Sequence, residues 1–233
     1  MRGAGPRRRS CGTHHRIIEQ SLCYGEVVPR PRIHDLDVVL DHAEALAVAA
    51  GVPAVTIRAV AAASGMSNGA IYHSFGSRAE LVARMWIRAA RRFLDVQNEL
   101  VDAALADGSG SAAAVEAVVR AAEAPAEFAE RYPASSRLVS VLRHDEVLAA
   151  ELPDSVAAEV RAQQRGLVAV MRRLSAHLWH REDRRAVEVI TACIVDLPTA
   201  LLLSRDRLAD PDTRMRLRAA VRAAVTAGPP PKR

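Results

Sequence analysis

The spacing of hydrophobic residues changes abruptly near residue 33. Residues 1–32 hold glycine, proline and arginine without helical periodicity, which predicts a disordered arm. Further along the chain, hydrophobic positions recur at steps of three and four, which indicates the buried face of a helix. These positions are Leu36, Val39, Leu40, Ala43, Leu46, Ala47 and Ala50. We expect Asp35 to cap this helix and Gly51 to end it.

Two short helices are predicted next, joined by a turn that contains glycine. The first follows Thr56, whose hydroxyl can accept a hydrogen bond from an amide of the first turn, and it ends near Ala63. The second follows Ser67, which can cap its helix in the same way, and it ends near Phe75. Two helices of this length with such a turn have the dimensions of a helix-turn-helix unit.

The remainder of the chain is also predicted to be helical. Ser77 and Glu80 match the S-x-x-E capping box, and a long helix should begin there. Its predicted buried face consists of Leu81, Met85, Ala89, Phe93, Val96 and Leu100. Beyond Gly108 we expect helical segments at about 112–131, 134–150, 153–181, 183–205 and 210–226. Alanine is abundant and strand-like runs are scarce, so we expect an all-α protein: an N-terminal three-helix domain and a C-terminal helical bundle.

Two of these segments carry hydrophobic stripes at heptad-like spacing. One stripe consists of Val160, Leu167, Met171, Leu174 and Leu178, and the other of Val187, Ile190, Ile194, Leu197 and Leu201. Adjacent helices of this kind can form a four-helix bundle across a two-fold axis, which favours a homodimer. The alternative is that both stripes face only the internal core. Pro198 lacks an amide donor and should kink its helix.

The composition is typical of a folded, soluble protein. Of the 233 residues, 50% are hydrophobic, 25% are charged and 3% are aromatic. We find no apolar run of the ~20 residues that span a bilayer, and no apolar segment typical of a signal peptide. The cysteines, Cys11, Cys23 and Cys193, are not closely paired, so a reducing cytoplasm is the simplest location.

The second short helix carries groups that suit the major groove of DNA. Ser67 and Asn68 place small polar groups at the positive end of the helix dipole, where amides suit phosphate and Asn68 can read base edges. Gly69 and Ala70 leave room for the backbone to approach DNA closely. On the same helix, the spacing of four predicts that Ile71 and Phe75 pack inward, which leaves Tyr72 and His73 facing the DNA.

The stretch T-I-R-A-V-A-A-A-S-G-M-S-N-G-A-I-Y-H-S-F, followed by S-R-A-E-L, is the most specific motif of the chain. With the helix before it, over residues 33–82, it resembles the N-terminal domain of TetR-type (tetracycline-repressor-like) regulators. The resemblance implies an operator-binding domain at 33–82, a ligand-binding and dimerisation domain at 83–227, and a homodimer. Residues 228–233 are expected to form a C-terminal tail after these two domains. Most members of the family are repressors that a small-molecule effector releases from DNA.

Several residues are expected to contact DNA by this resemblance and by their position. They are Thr56, Arg58, Ser67, Asn68, Gly69, Ala70, Tyr72, His73 and Arg78, of which the two arginines are candidate phosphate contacts. Asn68 departs from the family pattern, since many relatives have lysine there.

Charge is unevenly distributed along the sequence. Residues 33–85 contain three arginines and five acidic residues, an unusual balance for a surface that binds duplex DNA. The net charge of +5 resides in the arm at 1–32, with seven arginines and two acidic residues. The arm could supply the missing positive charge along the DNA backbone or in the minor groove. Alternatively, translation starts further downstream and the arm is not part of the native protein.

A ligand pocket is expected among the helices that follow residue 85. Its plausible lining residues, each of which could equally be simple core, are Trp86, Phe93, Phe128, Tyr132, Met171 and Trp179. The few aromatic and many aliphatic residues favour an apolar effector.

Motifs for catalysis or metal binding have little support. His177, His180 and Asp183 stand three apart, with His144 as a further possible ligand, but their stretch is rich in arginine and looks solvated. The arm holds other metal-capable side chains without a C-x-x-C knuckle, namely Cys11, His14, His15 and Cys23. Cys193 is interpreted as a small buried hydrophobe. We therefore expect no enzymatic activity, no cofactor and no metal.

Two other classes of protein remain as alternatives to a ligand-responsive regulator. A constitutive or structural DNA-binding protein would be favoured by the absence of an enclosed cavity beyond residue 85. An enzyme would be favoured by a pocket in which a nucleophile, a base and an orienting group converge.

Overall fold

Ten α-helices make up most of the part of the chain that the computed structural model describes, which comprises residues 33–108, 110–229 and 231. No strand occurs within these residues, and the predicted all-α class is confirmed. The predicted disordered arm, with its arginines, cysteines and histidines, lies outside the described residues, as does half of the predicted C-terminal tail.

The N-terminal part consists of α1 (Ile33–Ala50), α2 (Ile57–Ser64) and α3 (Asn68–Phe75), with a 3-10 turn at Val52–Ala54 between the first two. The prediction that Asp35 caps α1 is wrong, because α1 begins at Ile33 and Asp35 lies inside its first turn. The hydrophobic stripe that located the start begins only at Leu36. The prediction for Gly51 is confirmed: its φ is +82°, and its N–H donates to the Ala47 carbonyl over 2.9 Å.

Seven further helices follow. They are α4 (Arg78–Ala106), α5 (Gly110–Arg131), α6 (Pro133–Val141), α7 (His144–Leu148), α8 (Asp154–Trp179), α9 (Arg184–Thr191) and α10 (Pro211–Ala227). The single helix predicted at 134–150 is wrong, since α6 and α7 are separate. The chain turns at Leu142, which is extended with φ −114° and ψ 107°, and the Glu146 carboxylate accepts a hydrogen bond from the Arg143 N–H over 3.1 Å. No glycine or proline marks this break.

The helix that begins as α9 changes its hydrogen bonding as it continues. Two π-helical turns follow, Ala192–Asp196 and Thr199–Leu203, with Pro198 between them. The Ser204 N–H donates to the Thr199 carbonyl five residues earlier, over 2.8 Å. The Leu197 N–H donates to the Ala192 carbonyl, also five residues earlier, so the missing amide of Pro198 comes directly after a π-helical hydrogen bond.

Two large clusters of buried side chains hold the helices together, and a small third cluster joins α4 to α5 through Val96, Leu100, Ala124 and Phe128. The first joins α1, α2, α3, α6, α7 and the start of α8 to the first half of α4. The second joins the later part of α4 to α5, α8, α9 and α10. Helix α4 contributes to both clusters and runs through the predicted boundary at residues 82–83. Consistent with this sharing, the described residues from 33 onwards form one compact unit.

The helix from Arg184 to Leu203 is the one described segment that is long and apolar enough to cross a bilayer by length and composition. The expectation of no such segment therefore needs correction. Its apolar side chains include Ile190, Cys193 and Ile194, which are buried in the second cluster. A helix packed in this way passes the same test as the core helix of a folded domain.

Candidate nucleic-acid interface and cavity

Hydroxyl caps fix the beginnings of α2 and α3. The Thr56 hydroxyl accepts a hydrogen bond from the Ala59 N–H, and the Ser67 hydroxyl accepts one from the Ala70 N–H, each over 3.1 Å. Both predicted caps are confirmed. Between the two helices Gly65 has a φ of +71°, a left-handed conformation that favours glycine. The helix-turn-helix geometry thus follows from short-range chemistry.

Helix α3 has one face in the core and one face in solvent. Ile71 and Phe75 are 0% and 1% exposed within the first cluster, as predicted. Tyr72, one residue after Ile71, is 59% exposed, and His73 is exposed beside it. The apolar anchors therefore hold the helix so that its polar and aromatic side chains project outward.

The exposed residues at the beginnings of α2 and α3, together with the outer face of α3, form what we call the recognition surface. Its members are Thr56, Arg58, Ser67, Asn68, Gly69, Tyr72 and His73, all of them exposed. Ala70, also expected to contact DNA, is half-buried at its edge. Two helix N-termini open onto this surface, and they supply amides and hydroxyls that suit phosphate oxygens.

Arg78 has a structural role that the sequence did not predict. Its Nε donates to the Val55 carbonyl over 2.6 Å, and its Nη2 donates to the Val52 carbonyl over 2.8 Å. These hydrogen bonds tie the 3-10 turn before α2 to the beginning of α4. Two donor nitrogens of the expected phosphate contact are therefore already engaged within the protein.

The acidic residues of α1 face arginines that lie just beyond the predicted DNA-binding domain. Asp41 and Glu44 each lie 2.8 Å from Nη2 of Arg88, and Asp37 lies 3.6 Å from Nη1 of the same residue. Arg92 approaches Glu44 to 3.6 Å. The acidic excess counted over residues 33–85 is thus compensated by α4, away from the recognition surface.

Few unpaired cations remain near the recognition surface. Within the described residues Arg58 makes no ion pair, whereas Arg84 contacts Glu80 over 3.0 Å and Glu159 over 3.4 Å. The predicted capping box is half formed: the Ser77 hydroxyl accepts from the Glu80 N–H over 3.0 Å, while the Glu80 carboxylate accepts from Arg84. Arg58 is therefore the free guanidinium that the described part of the DNA-binding domain offers to phosphate.

A cavity of about 250 Å³ lies among α4, α5, α6, α8 and the π-helical continuation of α9. It is lined by Trp86, Ala90, Phe93, Leu94, Pro125, Phe128, Ser136, Val139, Ser140, Gln163, Gln164, Leu167, Ile194, Val195, Pro198, Thr199 and Leu203. Trp86, Phe93 and Phe128 were predicted to line a pocket, and they do line this one. The sequence did not indicate the other lining residues, since they are of the same types as ordinary core residues.

The other three predicted lining residues lie elsewhere. The Tyr132 ring lies 5.9 Å from the Phe128 ring, on the side where the Arg92 guanidinium approaches it to 5.1 Å. Met171 is buried in the second cluster. Trp179 packs against that cluster at the end of α8. The size and aromatic character of a residue in the sequence therefore did not predict whether it lines the cavity or belongs to the core.

The residues considered for metal binding or catalysis cap helices, form an ion pair or are buried in the core. Among the described residues no group of three histidine, cysteine or acidic side chains could hold a metal ion. Asp183 caps α9 and pairs with Arg181 over 2.7 Å, and His180 ends α8. Burial raises the pKa of the Cys193 thiol from 9.0 to about 11, so this thiol stays protonated near neutral pH.

Comparison with known proteins agrees with this architecture. Residues 39–85 match the family described as bacterial regulatory proteins, tetR family. No curated protein sequence matches the chain.

Several solved structures share the fold. A putative transcriptional regulator from Pseudomonas aeruginosa PAO1 is 15% identical, with a TM-score of 0.65 over 85% of this chain and 92% of that one. A TetR-like transcriptional regulator from Rhodococcus sp. RHA1 is 17% identical, with a TM-score of 0.59 over 85% and 97%. The fatty acid degradation regulator FadR from Bacillus halodurans is 12% identical, with a TM-score of 0.56 over 81% and 97%.

A helix-turn-helix unit with a helical domain behind it is the architecture that this chain shares with these solved transcriptional regulators. The family match over residues 39–85, from α1 to α4, confirms the resemblance seen in the sequence, and the solved structures share the all-α fold.

Proposed function

We propose that this regulator is a repressor that binds a palindromic operator as a homodimer and leaves the DNA when a small molecule fills the cavity. The observation that carries the proposal is the recognition surface on α3, which is held from behind by Ile71 and Phe75. Each α3 would enter a major groove, with Asn68 near base edges and Tyr72 and His73 against the DNA strand.

The other residues of the recognition surface would position the protein on the DNA backbone. The hydroxyls of Thr56 and Ser67 stand at helix N-termini, where the helix dipole and free amides favour phosphate. Arg58 would neutralise one phosphate. Gly69 and Ala70 carry little side-chain bulk, which allows a close approach of the backbone. Arg78 would act chiefly by holding the turn before α2.

The dimer would form through α8 and the helix that follows it. Several members of the two heptad-like stripes are only half-buried in the monomer, namely Leu178, Val187, Leu197 and Leu201. A second copy of the chain would cover them, whereas Val160, Leu174 and Ile190 already belong to the internal core. Two-fold symmetry would then place the two α3 helices on successive major grooves, about 34 Å apart.

Release by an effector requires that the ligand favour one of two arrangements of the dimer. Helix α4 would connect the cavity to the recognition surface, because Trp86 lines the cavity and also belongs to the core cluster shared with α1, α2 and α3. We place the regulator in the cytoplasm, where bacterial operators lie. A largely apolar cavity with an open mouth favours this function over a purely structural DNA-binding protein.

The variant Tyr72→Ala should weaken binding to the operator by at least about tenfold, the effect of losing about 1.4 kcal/mol of contact energy. The protein would be titrated against the DNA upstream of its own gene at several salt concentrations. Because tyrosine is uncharged, the affinity should fall by the same factor at every salt concentration, and the salt slope should not change.

Met215→Ala is a matched control, since Met215 is 62% exposed and lies on α10, outside the DNA-binding domain. It should bind like the wild type. If wild-type protein shows no preference for this DNA over random DNA, either the operator is distant or the assignment is wrong. Equal binding by Tyr72→Ala and wild type would remove α3 from the interface.

Deletion of residues 2–32 should lower both the operator affinity and its salt dependence. The arm contains seven arginines, whereas the described DNA-binding domain offers Arg58 as its free cation. Each phosphate contact that is lost should reduce the slope of log K against log salt by about 0.9. A full-length variant with these arginines changed to glutamine would separate charge from chain length. An unchanged slope in both variants would exclude the arm from DNA binding.

A further inference from the structure

We propose that the effector is an uncharged, largely apolar molecule that carries one polar group and binds with its apolar part inward. This inference rests on the proposed function, since it concerns the ligand that releases the protein from DNA. It concerns the chemical class of the ligand, which the lining of the cavity determines.

The inner wall of the cavity is apolar and uncharged. Buried members include Trp86, Phe128, Ile194 and Pro198, and no aspartate, glutamate, lysine, arginine or histidine lines the cavity within the described residues. The Trp86 indole N–H is already donated to the Leu142 carbonyl over 3.0 Å, so it is not free for a ligand. A ligand charge buried here would lose its hydration without gaining a counter-ion, which strongly disfavours ions.

One arginine next in sequence to this wall is engaged elsewhere. Arg92, next to the lining residue Phe93, donates to the Ser135 hydroxyl over 3.1 Å, and its guanidinium lies 5.1 Å from the centre of the Tyr132 ring. Tyr132 does not line the cavity. A carboxylate ligand would therefore find no cation among the lining residues, and Arg92 is held by other partners.

Three of the five polar side chains that line the cavity are at its mouth, and Gln163 is half-buried. Ser140, Gln164 and Thr199 line the cavity and are exposed to solvent, and each is uncharged. Ser136 is the buried hydroxyl of the lining. Alcohol, amide and carbonyl groups on a ligand can hydrogen-bond to such side chains, so one neutral polar group at the outer end is the chemistry that fits.

The volume limits the size of the enclosed part. An apolar cavity of about 150 Å³ holds a benzene molecule. Scaled to about 250 Å³, the cavity has room for roughly ten non-hydrogen atoms. Straight-chain 1-octanol meets this limit, and its charged analogues octanoate and octylammonium differ from it mainly at the polar end.

Binding of these three compounds at pH 7 tests the inference directly. Titration calorimetry on the full-length protein should show that 1-octanol binds at least tenfold more tightly than either ion. A second readout locates the ligand: the protein has two tryptophans, so in a Trp179→Phe variant the emission comes from Trp86 in the cavity wall. Addition of 1-octanol should shift this emission.

Two matched leucine variants check that the compound occupies this cavity. Ala90→Leu adds side-chain volume to the lining on α4 and should weaken 1-octanol binding at least tenfold. Ala223→Leu makes the same change at an exposed position of α10 outside the cavity and should bind like the wild type. Circular dichroism establishes that both variants are folded. The Trp86 emission is measured in the Trp179→Phe variant, whose cavity lining is not changed.

The outcomes separate this inference from the proposed function. Octanoate or octylammonium binding as tightly as 1-octanol would overturn the uncharged class, and so would a folded protein that binds none of the three. If 1-octanol binds and shifts Trp86 emission but the protein has no specific DNA site, the ligand class stands and the repressor function fails. Binding of 1-octanol that weakens the operator complex would support both.

Discussion

Phe75→Ala should lower the free energy of unfolding by about 3–5 kcal/mol and abolish specific DNA binding. Phe75 is 1% exposed and ends the helix that carries the recognition surface. Removing its ring leaves a cavity at the point where α3 packs on the first core cluster. Urea denaturation followed by circular dichroism measures the loss of stability, and titration with operator DNA measures the loss of binding.

Comparison with Tyr72→Ala distinguishes a damaged scaffold from a lost contact. Tyr72 stands three residues before Phe75 on the same helix but is 59% exposed, so its removal should change stability by less than about 0.5 kcal/mol. We expect Phe75→Ala to lose stability and binding together, and Tyr72→Ala to lose binding alone. A Phe75→Ala protein as stable as the wild type would contradict the packing of α3 described above.

Glu44→Ala should destabilise the protein by about 1.5–3 kcal/mol, the usual effect of losing a hydrogen bond to a charged group, because Arg88 keeps its ion pair with Asp41. Glu44 is 2% exposed on α1, and its carboxylate accepts hydrogen bonds from Arg88 over 2.8 Å and from the Ser135 hydroxyl over 2.7 Å. The substitution leaves the largely buried Arg88 guanidinium without this partner. It also removes a link that joins α1 to α4 and α6. Thermal and urea denaturation provide the measurement.

An exposed ion pair supplies the control for this prediction. Glu188 and Arg184 lie 2.7 Å apart on α9, with side chains 57% and 90% exposed. Glu188→Ala should change stability by less than about 0.5 kcal/mol, because solvent screens such a pair. Glu44→Gln should fall between the two, since it keeps a hydrogen-bonding side chain but loses the charge. If Glu44→Ala were as mild as Glu188→Ala, the buried network would not contribute to stability.

The DNA-binding domain was largely predictable because it depends on short-range chemistry. The caps at Thr56 and Ser67 and the inward positions of Ile71 and Phe75 are set by residues within one or two turns. The break between α6 and α7 was missed for the opposite reason. At Leu142 the carbonyl accepts a hydrogen bond from the Trp86 indole, 56 residues away. No glycine or proline near Leu142 predicts the break.

Long-range pairing also explains why the charge and the cavity were harder to predict. The acidic residues of α1 looked unfavourable for DNA binding until the structure placed Arg88 and Arg92 opposite them. Arg78 looked like a phosphate contact, yet its partners are carbonyls 23 and 26 residues earlier. In the cavity, Phe128 and Met171 are equally apolar in sequence, and only the packing of five helices decides that Phe128 faces the space.

The π-helical turns after α9 give one wall of the cavity an unusual tolerance to changes in chain length. A π-helical turn accommodates one residue more than the α-helical turn it replaces. Losing one residue from Thr199–Leu203 can therefore be absorbed by a return to α-helical hydrogen bonding. The same loss from a regular helix such as α8 would rotate everything beyond it by roughly 100°. Under the proposed function, deletion within this wall, as well as substitution, would change the effector while the DNA target of α1 to α4 stays the same.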